Sequence, residues 1–167
     1  MVIGDMIADA YLEGRISRIS REAPVLVLEY EEEKYVPGGA ANVVHNGATL
    51  GGRMLSVGII GDDFSGRELV RVLEAKGVST SGLIVDTERP TITKTRIMAG
   101  GQGTVRQQVV RIDRELRRPL SLAVADRELA YVKEYLPQVQ AVILSDYGSG
   151  SITPAIGAHV IEWCRLR

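Results

Sequence analysis

The sequence predicts an α/β domain: a mostly parallel sheet covered by helices on both faces, with a small β-rich lid beside it. Three observations carry this reading. Short apolar runs at residues 1–4, 54–60, 83–85 and 141–145 alternate with amphipathic stretches of helical period. Two β-branched stretches, residues 11–36 and 91–113, are too charged to lie inside such a sheet and read as strands of a partly exposed one. Eighteen glycines and only eight aromatics among 167 residues favour an aliphatic α/β domain over an aromatic-rich binding module.

The elements follow in order. Residues 1–4 form a buried strand stopped by Gly4 and Asp5, and residues 12–20 alternate loosely. Residues 25–36 are β-rich with a charged edge in Glu29, Glu31, Glu32, Glu33 and Lys34. Pro37-Gly38-Gly39 breaks that pattern, and residues 40–50 carry small and apolar side chains at helical spacing before Gly51-Gly52. Residues 54–60 are an apolar strand. Residues 62–76 form an amphipathic helix with Phe64, Leu69, Val72 and Leu73 inward and Gly77 at its C-terminal end. Residues 83–85 form a short strand. Residues 91–98 and 105–113 alternate around a hairpin tip at Gly100-Gly101-Gln102-Gly103. A helix over 120–136 leads to the strand 141–145, and Thr153 and Pro154 open a last helix as N-cap and first-turn residue. Cys164 falls on an apolar face of that helix and is expected to be buried.

Composition narrows the function. Apolar residues make up 45% and charged residues 25%, enough to bury a core in one domain. Twenty Lys and Arg against 21 Asp and Glu leave a net charge of −1, so no global field draws the chain to nucleic acid or to an anionic membrane. A single cysteine excludes an intramolecular disulfide and a cysteine-based zinc cluster. No apolar run is long enough to span a bilayer and no leader pattern opens the chain, so a cytoplasmic protein is expected.

Several local patterns could carry chemistry. Pro37-Gly38-Gly39-Ala40-Ala41-Asn42 opens a helix. Its glycines allow close approach of a ligand, the free N–H groups of a helix start suit hydroxyls or anions, and Asn42 both donates and accepts. The plainer alternative is a tight β–α turn packed with small residues. Asp5 and Asp9 follow the first strand, where open α/β sheets bind ligands, and the alternative is a pair of solvated loop acids. Lys94 and Arg96 alternate on one β face, and Arg106 and Arg111 lie on the next stretch. Together they could clamp a phosphate, or they could be surface charges. Asp146, at a strand end, suits phosphate or metal-water contact, or a turn. Residues 61–68 have the glycine spacing of a phosphate loop, but Arg67 and Glu68 stand where Lys and Ser/Thr belong, so Asp62 or Asp63 is read as a helix cap. His45 and His159 show no ligand spacing and are read as structural.

Taken together these motifs resemble the ribokinase-like (PfkB) carbohydrate kinases. Gly4-Asp5-Met6-Ile7-Ala8-Asp9 looks like that family's first strand and sugar-contacting Asp. Gly38-Gly39-Ala40-Ala41-Asn42 looks like its sugar loop, with Gly51 and Gly61 at the expected spacing. Within the family the likeness is to the kinases of heptose 7-phosphate, through residues 17–24, 90–96, 107–113 and 144–147. In many bacteria that kinase domain is joined to an adenylyltransferase domain, and the pathway makes ADP-heptose for the lipopolysaccharide core. Two departures are Val44, where a small residue is usual, and Ser149, where those kinases carry Lys.

The resemblance implies a ribokinase-like three-layer sandwich with a β-lid that closes over the sugar and often forms a dimer contact. By position, Asp9, Gly38, Gly39 and Asn42 would hold sugar hydroxyls, Lys94 and Arg96 would lie near the substrate's own phosphate, and Asp146 would face the phosphate-transfer region. The complete kinase would use ATP and Mg2+. The family's Gly-Ala-Gly-Asp, which supplies the anion hole and the general base, occurs nowhere in this chain, and neither does its Asn-x-x-Glu element. The expectation is therefore the first half of a kinase domain, with no catalytic base of its own, binding sugar phosphate weakly at best and without useful transfer. Its expected partners are a second copy, a C-terminal kinase half or an adenylyltransferase domain. Two alternatives stay open: a PfkB kinase for another sugar or a nucleoside, and a non-catalytic dimerisation module.

Overall fold

In the computed structural model, which describes residues 1–101 and 105–166, two four-stranded sheets share one continuous run of chain. The core sheet is parallel, in the order β5(Ser79–Val85)-β4(Leu55–Ile60)-β1(Val2–Gly4)-β8(Ile143–Ser145). The lid sheet has the order β3(Leu26–Gly38)-β2(Met6–Ile19)-β6(Ile92–Gly100)-β7(Gln107–Arg114). Its outer pairs are antiparallel and its central pair, β2 with β6, is parallel.

Alternation along β1 builds both halves of the core. Val2 points into the cluster under α1 (Gly39–Thr49) and α2 (Phe64–Glu74), with Ala40, Val44, Leu69 and Leu73. Ile3 points into the cluster under α3 (Leu122–Tyr135) and α4 (Pro154–Arg165), with Val124, Val132, Ile156 and Val160. Helices on both faces explain why these strands read as unbroken apolar runs.

Local chemistry sets the helix ends. Asp63 caps α2 by accepting from Gly66 N–H, Ser121 caps α3, and Thr153 caps α4 with Pro154 in its first turn. Two expectations are corrected. Phe64 is 57% exposed: it is the first residue of α2 and meets the Tyr35 ring edge-on at 5.6 Å, while Ser65, Leu69 and Leu73 face inward. Cys164 is exposed, because the inward stripe of α4 runs Ile156, Val160, Trp163 and turns the next residue to solvent. The expected hairpin tip lies partly outside the described residues: Gly100 ends β6, and 102–104 are not described.

Candidate functional site

The site lies where the core sheet becomes the lid. Only Asp5 separates β1 from β2, so Asp9 sits within a strand and is not a solvated loop acid. The apolar Met6, Ala8 and Ala10 are buried on one side of β2, which leaves Ile7, Asp9 and Tyr11 on the other. Lys94 and Arg96 of β6 stand opposite Asp9 and Tyr11, and Val36 of β3 stands opposite Asp9 from the other edge. All of them therefore share one face.

That face, the start of α1 and the loop after β8 enclose a cavity of about 390 Å3. Asp9, Gly38, Gly39, Asn42, Lys94 and Arg96 all line it, joined by Ile7, Tyr11, Val36, Pro37 and Tyr147. The structure does not bring the other candidates there. Asp146 is exposed and accepts from Gly148 N–H in a turn. Arg106 is held by Glu13 and Glu31, and Arg111 by Asp113. A smaller cavity of about 310 Å3 lies beside Asp63, Arg89 and Arg114. Its acids are already engaged: Asp63 by Gly66, Thr91 and Arg114, Asp62 by Arg67.

Two glycines give the cavity its floor. A Cβ at Gly38 would sit 2.5 Å from Asp9 Oδ2. Gly39 has φ +54°, a left-handed conformation that side chains resist, and a Cβ there would sit 2.6 Å from the Asp5 carbonyl oxygen. The missing Cβ atoms let the backbone at Gly38 and Gly39 pack close to Asp9 and Asp5.

The charges are arranged unevenly. Arg96 Nη1 donates to Asp9 Oδ1 at 2.7 Å, with both side chains about four-fifths buried. That hydrogen bond is the first cause that holds Arg96 still more firmly in its charged form. The guanidinium also lies 5.3 Å from the Tyr11 ring centroid. Lys94 Nζ has no carboxylate partner among the described residues and stands 5.8 Å from the Tyr147 ring. The cavity thus offers a hydroxyl acceptor, an amide side chain and two cations. No set of three His, Cys, Asp or Glu that could hold a metal ion occurs among the described residues.

Sequence reasoning missed Tyr11 and Tyr147 as lining residues. The available signals were the period-two step from Asp9 to Tyr11 and the position of Tyr147 just past a core strand end. No helix among the described residues is long and apolar enough to cross a membrane.

The chain is 42% identical to the bifunctional protein HldE of Azorhizobium caulinodans over 167 residues, which is 99% of this chain and 34% of that one. It is 42% identical to the bifunctional protein HldE of Helicobacter pylori strain J99 over 150 residues, which is 90% of this chain and 31% of that one. It therefore spans about a third of the length of these curated relatives. The fold is that of phosphofructokinase-2 from Escherichia coli, solved with substrates and products (TM-score 0.65, 15% identity, 99% of this chain and 50% of that one). It is also that of Arabidopsis thaliana ribokinase complexed with ribose and ATP (TM-score 0.59, 18% identity, 96% and 48%). The model of the pfkB family carbohydrate kinases matches residues 1–166, nearly the whole chain: the chain belongs to the pfkB family of carbohydrate kinases.

Proposed function

We propose that this chain is the sugar-binding part of an ATP-dependent kinase whose acceptor is heptose 7-phosphate. The observation that carries this is one cavity with a hydroxyl-binding side, Asp9 and Asn42 over Gly38 and Gly39, and a cationic side, Lys94 and Arg96. A free sugar needs only the first side, and an anionic group on the sugar gives the second a purpose. The likeness of residues 17–24 and 90–96 to heptose 7-phosphate kinases supports the choice of sugar.

In the full reaction the anomeric oxygen attacks the ATP γ-phosphorus, the bond to the ADP oxygen breaks, and the hydroxyl proton passes to a base. The chain lacks the Gly-Ala-Gly-Asp that would supply base and anion hole, so transfer requires a segment beyond this one. Binding is this chain's own share. Titration with heptose 7-phosphate, followed by amide shifts of Gly38, Gly39 and Lys94, is expected to show saturable binding without ATP turnover. Binding of a nucleoside in place of the sugar phosphate would overturn the choice of acceptor. Turnover by the chain alone would overturn the division of labour. ATP and sugar phosphates are cytoplasmic metabolites, which supports a cytoplasmic setting.

The lid supports a second proposal, pairing with another copy. Opposite the cavity face, the register puts Leu12, Ile16, Leu28, Tyr30, Ile97, Val110 and Ile112 on one side of the sheet. Tyr30, Val110 and Ile112 are 66%, 48% and 54% exposed. An apolar sheet face of this kind, backed by a charged one, suits face-to-face packing against its own equal.

A further inference from the structure

We propose that the Asp9–Arg96 ion pair is a latch that selects phosphorylated over unphosphorylated sugars, because only a ligand with its own anion can open it without stranding a charge. This rests on the reading of the cavity as a sugar-binding site.

The geometry sets up a competition inside the cavity. Among the described residues Asp9 is the one carboxylate lining it, and its Oδ1 is already taken by Arg96 at 2.7 Å. Its Oδ2 faces Gly38 so closely that a Cβ there would lie 2.5 Å away. A sugar hydroxyl that seeks Asp9 must therefore displace, or share with, a guanidinium. The pair is largely shielded, with side chains 21% and 19% exposed. Separating such a pair leaves two poorly hydrated charges, and a neutral hydroxyl restores only one side with a weaker bond. The guanidinium would keep the Lys94 carbonyl at 3.4 Å and the Tyr11 ring, neither of which replaces a carboxylate.

A phosphorylated sugar changes the exchange. Its phosphate gives the planar Arg96 fork an anionic two-point partner while its hydroxyls donate to Asp9, so the guanidinium keeps an anion and the carboxylate keeps hydrogen-bond donors. Lys94 lies two residues away on the same face, without a carboxylate partner among the described residues, and adds attraction for the same anion. The latch thus works by penalising the wrong ligand as well as by holding the right one.

The test compares D-glycero-D-manno-heptose 7-phosphate, the free heptose and inorganic phosphate by calorimetric titration of the intact chain and its Arg96→Met variant, whose unbranched stem keeps the contact with Tyr11. In the variant the phosphorylated sugar is expected to bind at least about tenfold more weakly, while free heptose binds about three- to tenfold more tightly. In the unaltered chain, Arg96 side-chain N–H resonances should move with heptose 7-phosphate and stay in place with free heptose, a readout that needs no variant. Unchanged or weaker free-heptose binding in Arg96→Met would overturn the latch while leaving sugar-phosphate recognition standing. Failure of the unaltered chain to bind either sugar would overturn the sugar-site reading itself.

Discussion

The wholly buried Asp5 carboxylate accepts the backbone N–H of Tyr147 at 2.7 Å, across 142 positions of sequence. Ser149 and Ser151 donate their N–H groups to the same carboxylate at 3.2 Å. The Asp5 carbonyl accepts from Ala40 N–H at 3.0 Å, at the start of α1. One residue between two strands therefore fixes both the Tyr147 wall and the glycine floor of the cavity.

Asp5→Asn keeps the size of the side chain and removes its charge. One oxygen becomes an NH2 group that faces donors, so at least one buried N–H loses its acceptor. The expected loss is about 2–4 kcal/mol of stability, together with loosened sugar-phosphate binding. Urea denaturation measures the first and titration the second. A stability change within about 0.5 kcal/mol of zero would remove Asp5 from this role.

Two alanine substitutions separate backbone strain from crowding. Gly39 and Gly51 both have positive φ, +54° and +88°. A Cβ at Gly51 meets nothing within 4 Å, whereas one at Gly39 meets the Asp5 carbonyl and Ile7. Gly51→Ala should cost about 1 kcal/mol, the strain alone. Gly39→Ala should cost clearly more, about 2–4 kcal/mol, because neither strand nor helix start can move away. Equal urea midpoints for the two variants would show that crowding at the cavity floor is absent.

The lid pairing makes a prediction of its own. Val110 and Ile97 are cross-strand partners at the centre of the outer apolar face. Val110→Lys places a charge there and leaves the cavity face untouched. Sedimentation should find the parent chain as a dimer and the variant as a monomer, with sugar-phosphate affinity kept within about threefold. A monomeric parent would remove the proposal.

What could be read in the sequence depended on how local the cause was. The Thr153 and Asp63 caps act within three residues and were legible. So were Gly38 and Gly39, because a paired glycine before a helix announces its own geometry. Asp9, Lys94 and Arg96 were legible as candidates, but their meeting in one cavity depends on parallel pairing between β2 and β6 across about 85 residues. Asp5 looked like a strand terminator because its three donors lie at the far end of the chain. Arg106 and Arg111 looked equivalent to Arg96 until the fold paired them with acids outside the cavity, whereas the acid that holds Arg96 lines it.

Glu128 was the least legible residue, and it yields the sharpest prediction. Next to Asp126 and Arg127 it reads as part of a solvated helix face. Its spacing of four from both Val124 and Val132 was the signal to the contrary. It is 0% exposed, and neither carboxylate oxygen has a hydrogen-bond partner among the described residues. Burial first, and the nearby negative charge of Asp5 second, push its pKa from 4.5 up to about 8. The folded chain therefore keeps a proton that the unfolded chain releases between pH 4.5 and 8. Stability must fall as pH rises through that window, by up to about 1.4 kcal/mol per unit, and level off above it. Glu128→Leu removes the titrating group and fills the site with apolar volume. Its unfolding free energy should exceed the parent's at every pH, with an advantage larger at pH 8 than at pH 5 by about 2–4 kcal/mol. Scanning calorimetry of both chains from pH 5 to pH 9 decides it. An advantage that does not grow with pH would mean that Glu128 is charged in the folded protein and has found a counter-charge or water.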